Sequence, residues 1–72
     1  MYSTPVVQVV YYNPAWAVKI EDESVLRSEH SSRDSAEKAG RDLATFNRTE
    51  LVVHDCSGKV DHREPYQGSS SI

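Results

Sequence analysis

The sequence contains one cysteine, one methionine, one tryptophan and one phenylalanine in 72 residues. A single thiol, Cys56, closes no internal disulfide, so packing must hold the fold and nothing points to an oxidising compartment. No apolar run approaches the roughly 18 residues that a membrane-spanning helix needs. The segment Met1-Tyr2-Ser3-Thr4-Pro5 lacks the basic and apolar regions of a secretory signal. These absences predict a cytoplasmic protein with no membrane partner. Positive charge is scarce too, with a formal net charge of −3. Residues 1–24 and 49–72 are acidic, and the middle third is slightly basic through Arg27, Arg33, Lys38, Arg41 and Arg48. Glu29, Asp34, Glu37 and Asp42 interleave with those cations, so no block of one sign offers the field that nonspecific nucleic-acid binding requires. Sequence of this length folds as one domain. It is too short for a Rossmann pair, a TIM barrel or a full protease scaffold, and buries only about 60% of its open-chain surface.

What is present reads as alternating short elements. Val6–Tyr12 is rich in residues that suit a pleated surface. Asn13-Pro14 marks a turn, and in Trp16–Glu21 the residues Trp16, Val18 and Ile20 alternate with Ala17, Lys19 and Glu21, the period of a half-buried strand. The two form a hairpin with a short loop at Asn13–Ala15. Glu21-Asp22-Glu23-Ser24 is an acidic turn, and Val25–His30 is a weaker third strand. Ser31-Ser32 offers a helix N-cap, with Ser31 and Asp34 at capping-box spacing. The one strong helix is Arg33–Phe46, with Ala36, Ala39, Gly40, Leu43 and Phe46 along one face. Asp34–Lys38, Glu37–Arg41 and Lys38–Asp42 pair on its outer side, each adding about 0.2–0.5 kcal/mol, and Asn47 stops it. Glu50–His54 and Lys59–Arg63 close the pattern as a second hairpin around Asp55-Cys56-Ser57-Gly58, with Val60 facing in and Pro65 ending the strand.

The expected architecture is therefore α+β, an antiparallel sheet in β-β-β-α-β-β order with one amphipathic helix packed on one face. Residues 1–5 are expected to be a flexible N-terminus, 6–66 a single α+β domain, and 67–72 a flexible serine-rich tail. The buried layer is predicted to hold Val7, Val9, Tyr11, Trp16, Val18, Ile20, Ala36, Ala39, Leu43, Phe46, Leu51, Val53 and Val60. The opposite sheet face has no helix to cover it and would display Gln8, Val10, Tyr12, Lys19, Val52 and His54.

The run Trp16-Ala17-Val18-Lys19, the helix with Ala36 and Gly40-Arg41-Asp42-Leu43-Ala44, then Glu50-Leu51-Val52-Val53-His54 and Gly58-Lys59-Val60 resemble a family of short bacterial proteins called domain of unknown function 2188. Arg63-Glu64-Pro65-Tyr66-Gln67-Gly68 matches the family's end loosely. Ala15 stands where the family usually has glycine, and Gly40 where alanine is common. The resemblance covers most of residues 6–68. It implies a sheet with one helix and carries no catalytic residue.

The candidate chemistry is thin. His54, Cys56 and His62 have zinc-compatible side chains, but H-x-C with one distant histidine is not a zinc spacing, and a fourth ligand would have to come from Asp55, Asp61 or His30. Two surface histidines and a loop thiol are the simpler account. Cys56 as a nucleophile lacks a helix N-terminus behind it and an orienting third group. Glu21, Asp22 and Glu23 are consecutive in a turn and point different ways, which suits a solvated tip better than a carboxylate pair. Asn47-Arg48-Thr49 is a glycosylation sequon without a secretory signal. No glycine-rich phosphate loop occurs, and no cofactor is expected.

The expectation is a non-enzymatic binding protein. It acts on another protein through the open sheet face, a strand edge or the acidic hairpin tip, with Val10, Tyr12, Lys19, Glu21, Asp22, Glu23, Val52 and His54 as partner-binding residues. A second copy joined through a strand edge is one form of that partner. A small acidic protein of this kind suits a regulator, or a virus-encoded inhibitor of a host nucleic-acid machine. The alternative is a nucleic-acid-binding module using the sheet face and the basic residues of the helix region.

Overall fold

A computed structural model describes residues 5–66. The flexible ends expected of the sequence fall largely on 1–4 and 67–72, outside the described residues. Along the chain the elements are β1 (Val7–Tyr12), β2 (Ala15–Ile20), β3 (Ser28–His30), α1 (Arg33–Asn47), β4 (Glu50–His54) and β5 (Val60–Pro65). The five strands form one sheet in the spatial order β3-β2-β1-β4-β5, with α1 lying over β1 to β4.

The sheet is mixed, which corrects the expectation of a purely antiparallel one and of strands arranged as successive hairpins. β1 and β4 run parallel in its centre, with Val7 opposite Leu51 and Val9 opposite Val53. The cause is the helix. A strand that enters a helix lying on the sheet and returns as another strand comes back in its original direction, which is how parallel neighbours are made. β3 antiparallel to β2, and β2 antiparallel to β1, give β3 the direction of β1. The β3-α1-β4 crossover then delivers β4 parallel to both.

β1 and β2 form a hairpin whose loop is Asn13-Pro14, with a cis peptide between them, and Tyr12 opposite Ala15. Alternation sends Val7, Val9, Val18, Ile20, Leu51 and Val53 to the helix side, where they are buried with Ala36 and Ala44. Burying each such aliphatic side chain contributes about 1.5–3 kcal/mol. The helix comes close because its inner stripe is small. A methyl group built on Gly40 would lie 2.9 Å from Leu51 Cδ1 and 3.0 Å from Val9 Cγ2.

Of the pair Ser31-Ser32 offered as N-cap, Ser32 takes the role, its hydroxyl accepting from the Ser35 N–H at 3.2 Å in place of the Ser31–Asp34 pairing. The left-handed residue that ends the helix is Arg48, φ 55°, rather than Asn47. Of the expected helix pairs, Glu37–Arg41 forms, joined by Arg33–Glu37. Neither Asp34–Lys38 nor Lys38–Asp42 is among the described ion pairs.

Two predicted core residues lie outside. Phe46 is 84% exposed. The buried stripe runs through Ala36, Gly40 and Ala44, and at about 100° per residue a position ten beyond Ala36 has drifted about 80° off its line. Val60 is 47% exposed because of a bulge. Val53 opposes His62 and His54 opposes Val60, so Asp61 is an extra residue in β5. One extra residue flips the face of everything beyond it.

Candidate functional site

The two faces of the sheet differ in how their polar groups are used. On the helix side, Arg33 and Arg41 reach past the sheet centre to the edge strand β5. Arg33 binds Glu37 at 2.6 Å and also Asp61. Arg41 binds Glu64 at 2.8 Å and Glu37 at 3.0 Å. The Tyr66 hydroxyl donates to Glu64 at 2.6 Å. The Arg41 guanidinium, helped by the Tyr66 and His62 bonds, holds the Glu64 carboxyl down at about 2. The His62 ring lies between Asp61 (3.0 Å) and Glu64 (2.9 Å), which raise its pKa by favouring the imidazolium. Carboxylates only accept, so the imidazolium, with both ring nitrogens donating, is the form that satisfies both contacts. This seam fastens α1 to β5.

β5 is an edge, but a blunted one. The Tyr66 N–H donates to the Thr49 carbonyl at 3.2 Å. That register turns the backbone groups of alternate residues outward, Pro65 and Arg63 among them. Pro65 has no N–H to offer, Arg63 carries a charge paired with Glu50 at 3.2 Å, and the bulge interrupts the strand beyond. At the other edge β3 has only three residues. Short edges, proline, charge and a bulge all discourage strand addition, so the edges are poor places for a second copy to pair.

The face away from the helix carries Gln8, Val10 and Tyr12 from β1, Ala15, Ala17 and Lys19 from β2, Glu29 from β3, and Val52 and His54 from β4. It is less bare than the sequence implied. Val52 is only 3% exposed and Ala17 fully buried. Val52 lies between Gln8 and Arg63 in the register, whose long stems flank it. Val52 therefore presents almost no surface on this face. Val10 and Lys19 are half-buried. His54 is half-buried and its Nδ1–H donates to the Val9 carbonyl at 3.1 Å. Tyr12 is 53% exposed. Glu21 and Asp22 are exposed on the β2–β3 loop. Glu23 is held by Arg27 at 3.0 Å, which lowers its pKa.

The loop expected as strand from Val25 instead crosses this face before β3 begins at Ser28. The Arg27 N–H donates to the Val18 carbonyl at 2.7 Å, and Leu26 becomes half-buried. Between Leu26 and Ser24 on one side and Tyr12, Pro14 and Ala15 on the other lies an open cleft of about 430 Å³, with Ala17 and Glu29 also lining it. Of the eight predicted residues, Val10, Tyr12, Lys19, Val52 and His54 share this face and Glu21, Asp22 and Glu23 lie on the β2–β3 loop. Tyr12 is the one that reaches the cleft, and sequence reasoning missed Leu26, whose signal was the pair Val25-Leu26 in an otherwise polar stretch from Glu21 to His30; Val25 stays exposed and Leu26 lines the cleft.

Strand alternation and the turn separate the residues weighed for a metal. His54 belongs to the outer face and His62 to the helix face, while Cys56 is exposed on the β4–β5 turn. That turn is organised by Asp55, whose Oδ1 accepts from the Ser57 hydroxyl at 2.6 Å and from the Ser57 and Lys59 N–H groups, which lowers its pKa. Among the described residues no group of three or more His, Cys, Asp or Glu side chains is arranged to hold a metal ion, and no helix is long and apolar enough to cross a membrane. Of the five cations that favoured a nucleic-acid reading, Arg27, Arg33 and Arg41 are committed to carboxylates.

A family model described as "Uncharacterized protein conserved in bacteria (DUF2188)" matches residues 7–66. No curated protein and no solved structure matches the chain.

Proposed function

The chain belongs to this bacterial family, and from that premise we propose that it is a non-enzymatic binding domain that holds another protein at the cleft beside Tyr12. The observation that carries the reading is the cleft itself. It is mostly apolar, with Ser24 and Glu29 its polar members, opens on the sheet face that no helix covers, and exposes an aromatic ring at its rim. Exposed aromatics beside a recess are effective anchors for protein partners. The blunted edges favour face binding over strand addition. A lone free thiol agrees with action in the cytoplasm, and the role that fits so small a domain is regulation or inhibition of the partner it covers.

Affinity capture from bacterial lysate tests the reading. Wild type and a Phe46→Ala control, altered on the exposed helix flank, should recover the same partner, and Tyr12→Ala should lose it. Recovery by Tyr12→Ala equal to wild type would exclude the cleft. Titration with labelled single- and double-stranded nucleic acid at two salt concentrations separates the alternative, because phosphate contacts make affinity fall steeply with salt.

A further inference from the structure

The charges around the cleft specify the kind of segment it takes. Glu29 lies directly opposite Ala17 in the β2–β3 ladder, so its carboxylate belongs to the apolar face that Ala17 floors. Among the described residues it makes no hydrogen bond or ion pair. By contrast Glu23, Glu37, Glu50, Asp61 and Glu64 are all engaged by arginines. The β2–β3 loop adds Glu21 and Asp22, exposed and likewise without a counter-charge, and its one cation, Arg27, is spent on Glu23. No cation lines the cleft. An apolar recess with one free carboxylate on its wall and two more on the adjoining loop is complementary to a chain that is both greasy and basic.

We infer that the occupant is a surface segment of another protein that places an aliphatic side chain against Tyr12, Ala17 and Leu26 and a lysine or arginine head at Glu29. This rests on the cleft being the partner-binding site. The aliphatic contact supplies the area and the carboxylate supplies the choice between basic and acidic segments, since a like charge at Glu29 would be repelled. At about 430 Å³ the recess is in the size range of ligand pockets, and its openness suits one or two side chains of a passing segment.

The probes are three capped tripeptides, Leu-Arg-Leu, Leu-Glu-Leu and Ser-Arg-Ser, titrated into isotopically labelled protein and followed by amide chemical shifts. Leu-Arg-Leu should move the amides of residues 12–17 and 24–29 and bind best. Glu29→Gln should weaken it about two- to fivefold, the worth of an exposed ion pair, and added salt should narrow that gap. Glu29 has no partner to lose, so the variant's spectrum should otherwise match wild type. Equal binding of Leu-Glu-Leu overturns the basic head, equal binding of Ser-Arg-Ser overturns the aliphatic contact, and no shift with Leu-Arg-Leu overturns the inference outright. Partner capture keeps the two readings apart. Loss with Tyr12→Ala but full retention with Glu29→Gln sinks this inference and leaves the cleft as the site, whereas retention by both sinks the cleft as well.

Discussion

Gly40→Ala should weaken the fold, although exchanging glycine for alanine inside a helix ordinarily strengthens it. The ordinary gain is about 1 kcal/mol, because glycine loses more backbone freedom and alanine has the best helix propensity. At this position the added methyl would stand 2.9 Å from Leu51 Cδ1 and 3.0 Å from Val9 Cγ2. Both neighbours are fully buried in the central strands, so neither side chain can swing into solvent. Overpacking of that kind costs about 1–3 kcal/mol. The net expectation is a loss of roughly 0–2 kcal/mol, up to half of the lower bound of about 4 kcal/mol expected for a domain this size. A loss of 1 kcal/mol lowers the melting temperature by about 4–8 °C. Thermal and urea melts followed by circular dichroism measure it. A double-mutant cycle makes the argument specific. Leu51→Ala alone should cost about 2–5 kcal/mol, and should cost less in the Gly40→Ala background, where the new methyl fills part of the vacated space. A rise in melting temperature for Gly40→Ala, or strict additivity in the cycle, would refute the close-approach reasoning.

Other expectations test the polar seam and the helix end. Glu64 is held at about 2, below its ordinary 4.5, so its ionised form stabilises the fold above pH 4.5 and that contribution disappears as pH falls towards 2. Unfolding free energies from urea melts across this range should fall by about 1–2 kcal/mol more in wild type than in Glu64→Gln, a figure discounted because Arg41 is 43% exposed; parallel curves would contradict it. For His62 the sign reverses, since its raised folded pKa makes the imidazolium stabilising below the ordinary 6.5, with the benefit lost as pH rises through the folded value. Imidazole resonances should show His62 titrating above 6.5 and shifting down in Asp61→Asn, and a value at or below 6.5 would be inconsistent with the two-carboxylate geometry. Arg48→Gly should raise stability by roughly 1 kcal/mol, because glycine adopts the left-handed conformation at φ 55° without a side-chain clash; an unchanged or lower urea midpoint would argue that the Arg48 side chain compensates.

Local patterns in the sequence carried most of the elements. The alternation in Trp16–Ile20 is a property of neighbouring residues and marked the strand, although Ala17 is buried as well as Val18 and Ile20; the small residues Ala36 and Gly40 marked the inner side of the helix, which Ala44 rather than Phe46 completes. What failed was non-local. Nothing near Val7 or Leu51 announces that they are parallel partners, because that pairing follows from the crossover geometry of β3, α1 and β4. The bulge at Asp61 is an offset between two strands, invisible within either, and it alone moved Val60 outward. Val52 was assigned to an open face correctly by alternation, yet it is buried, since the parity of a residue says nothing of what its neighbours' long stems cover. For the site, Tyr12 was legible as an outward aromatic, but the cleft depends on Leu26 crossing the sheet, and no periodicity encodes where a loop lies down.

The central position of β1 governs how the molecule comes into being. β1 and β2 can meet as a hairpin as soon as both have left the ribosome, but an isolated hairpin is marginal in water, and the other flank of β1 stays unsatisfied until Leu51–Val53 emerge beyond the helix. The nascent chain therefore carries a half-sealed apolar strand until β4 emerges. Cutting it in the loop after β3 should give two fragments that are each unstructured alone and that regain the native spectrum only when mixed, because the seam they share is the middle of the sheet.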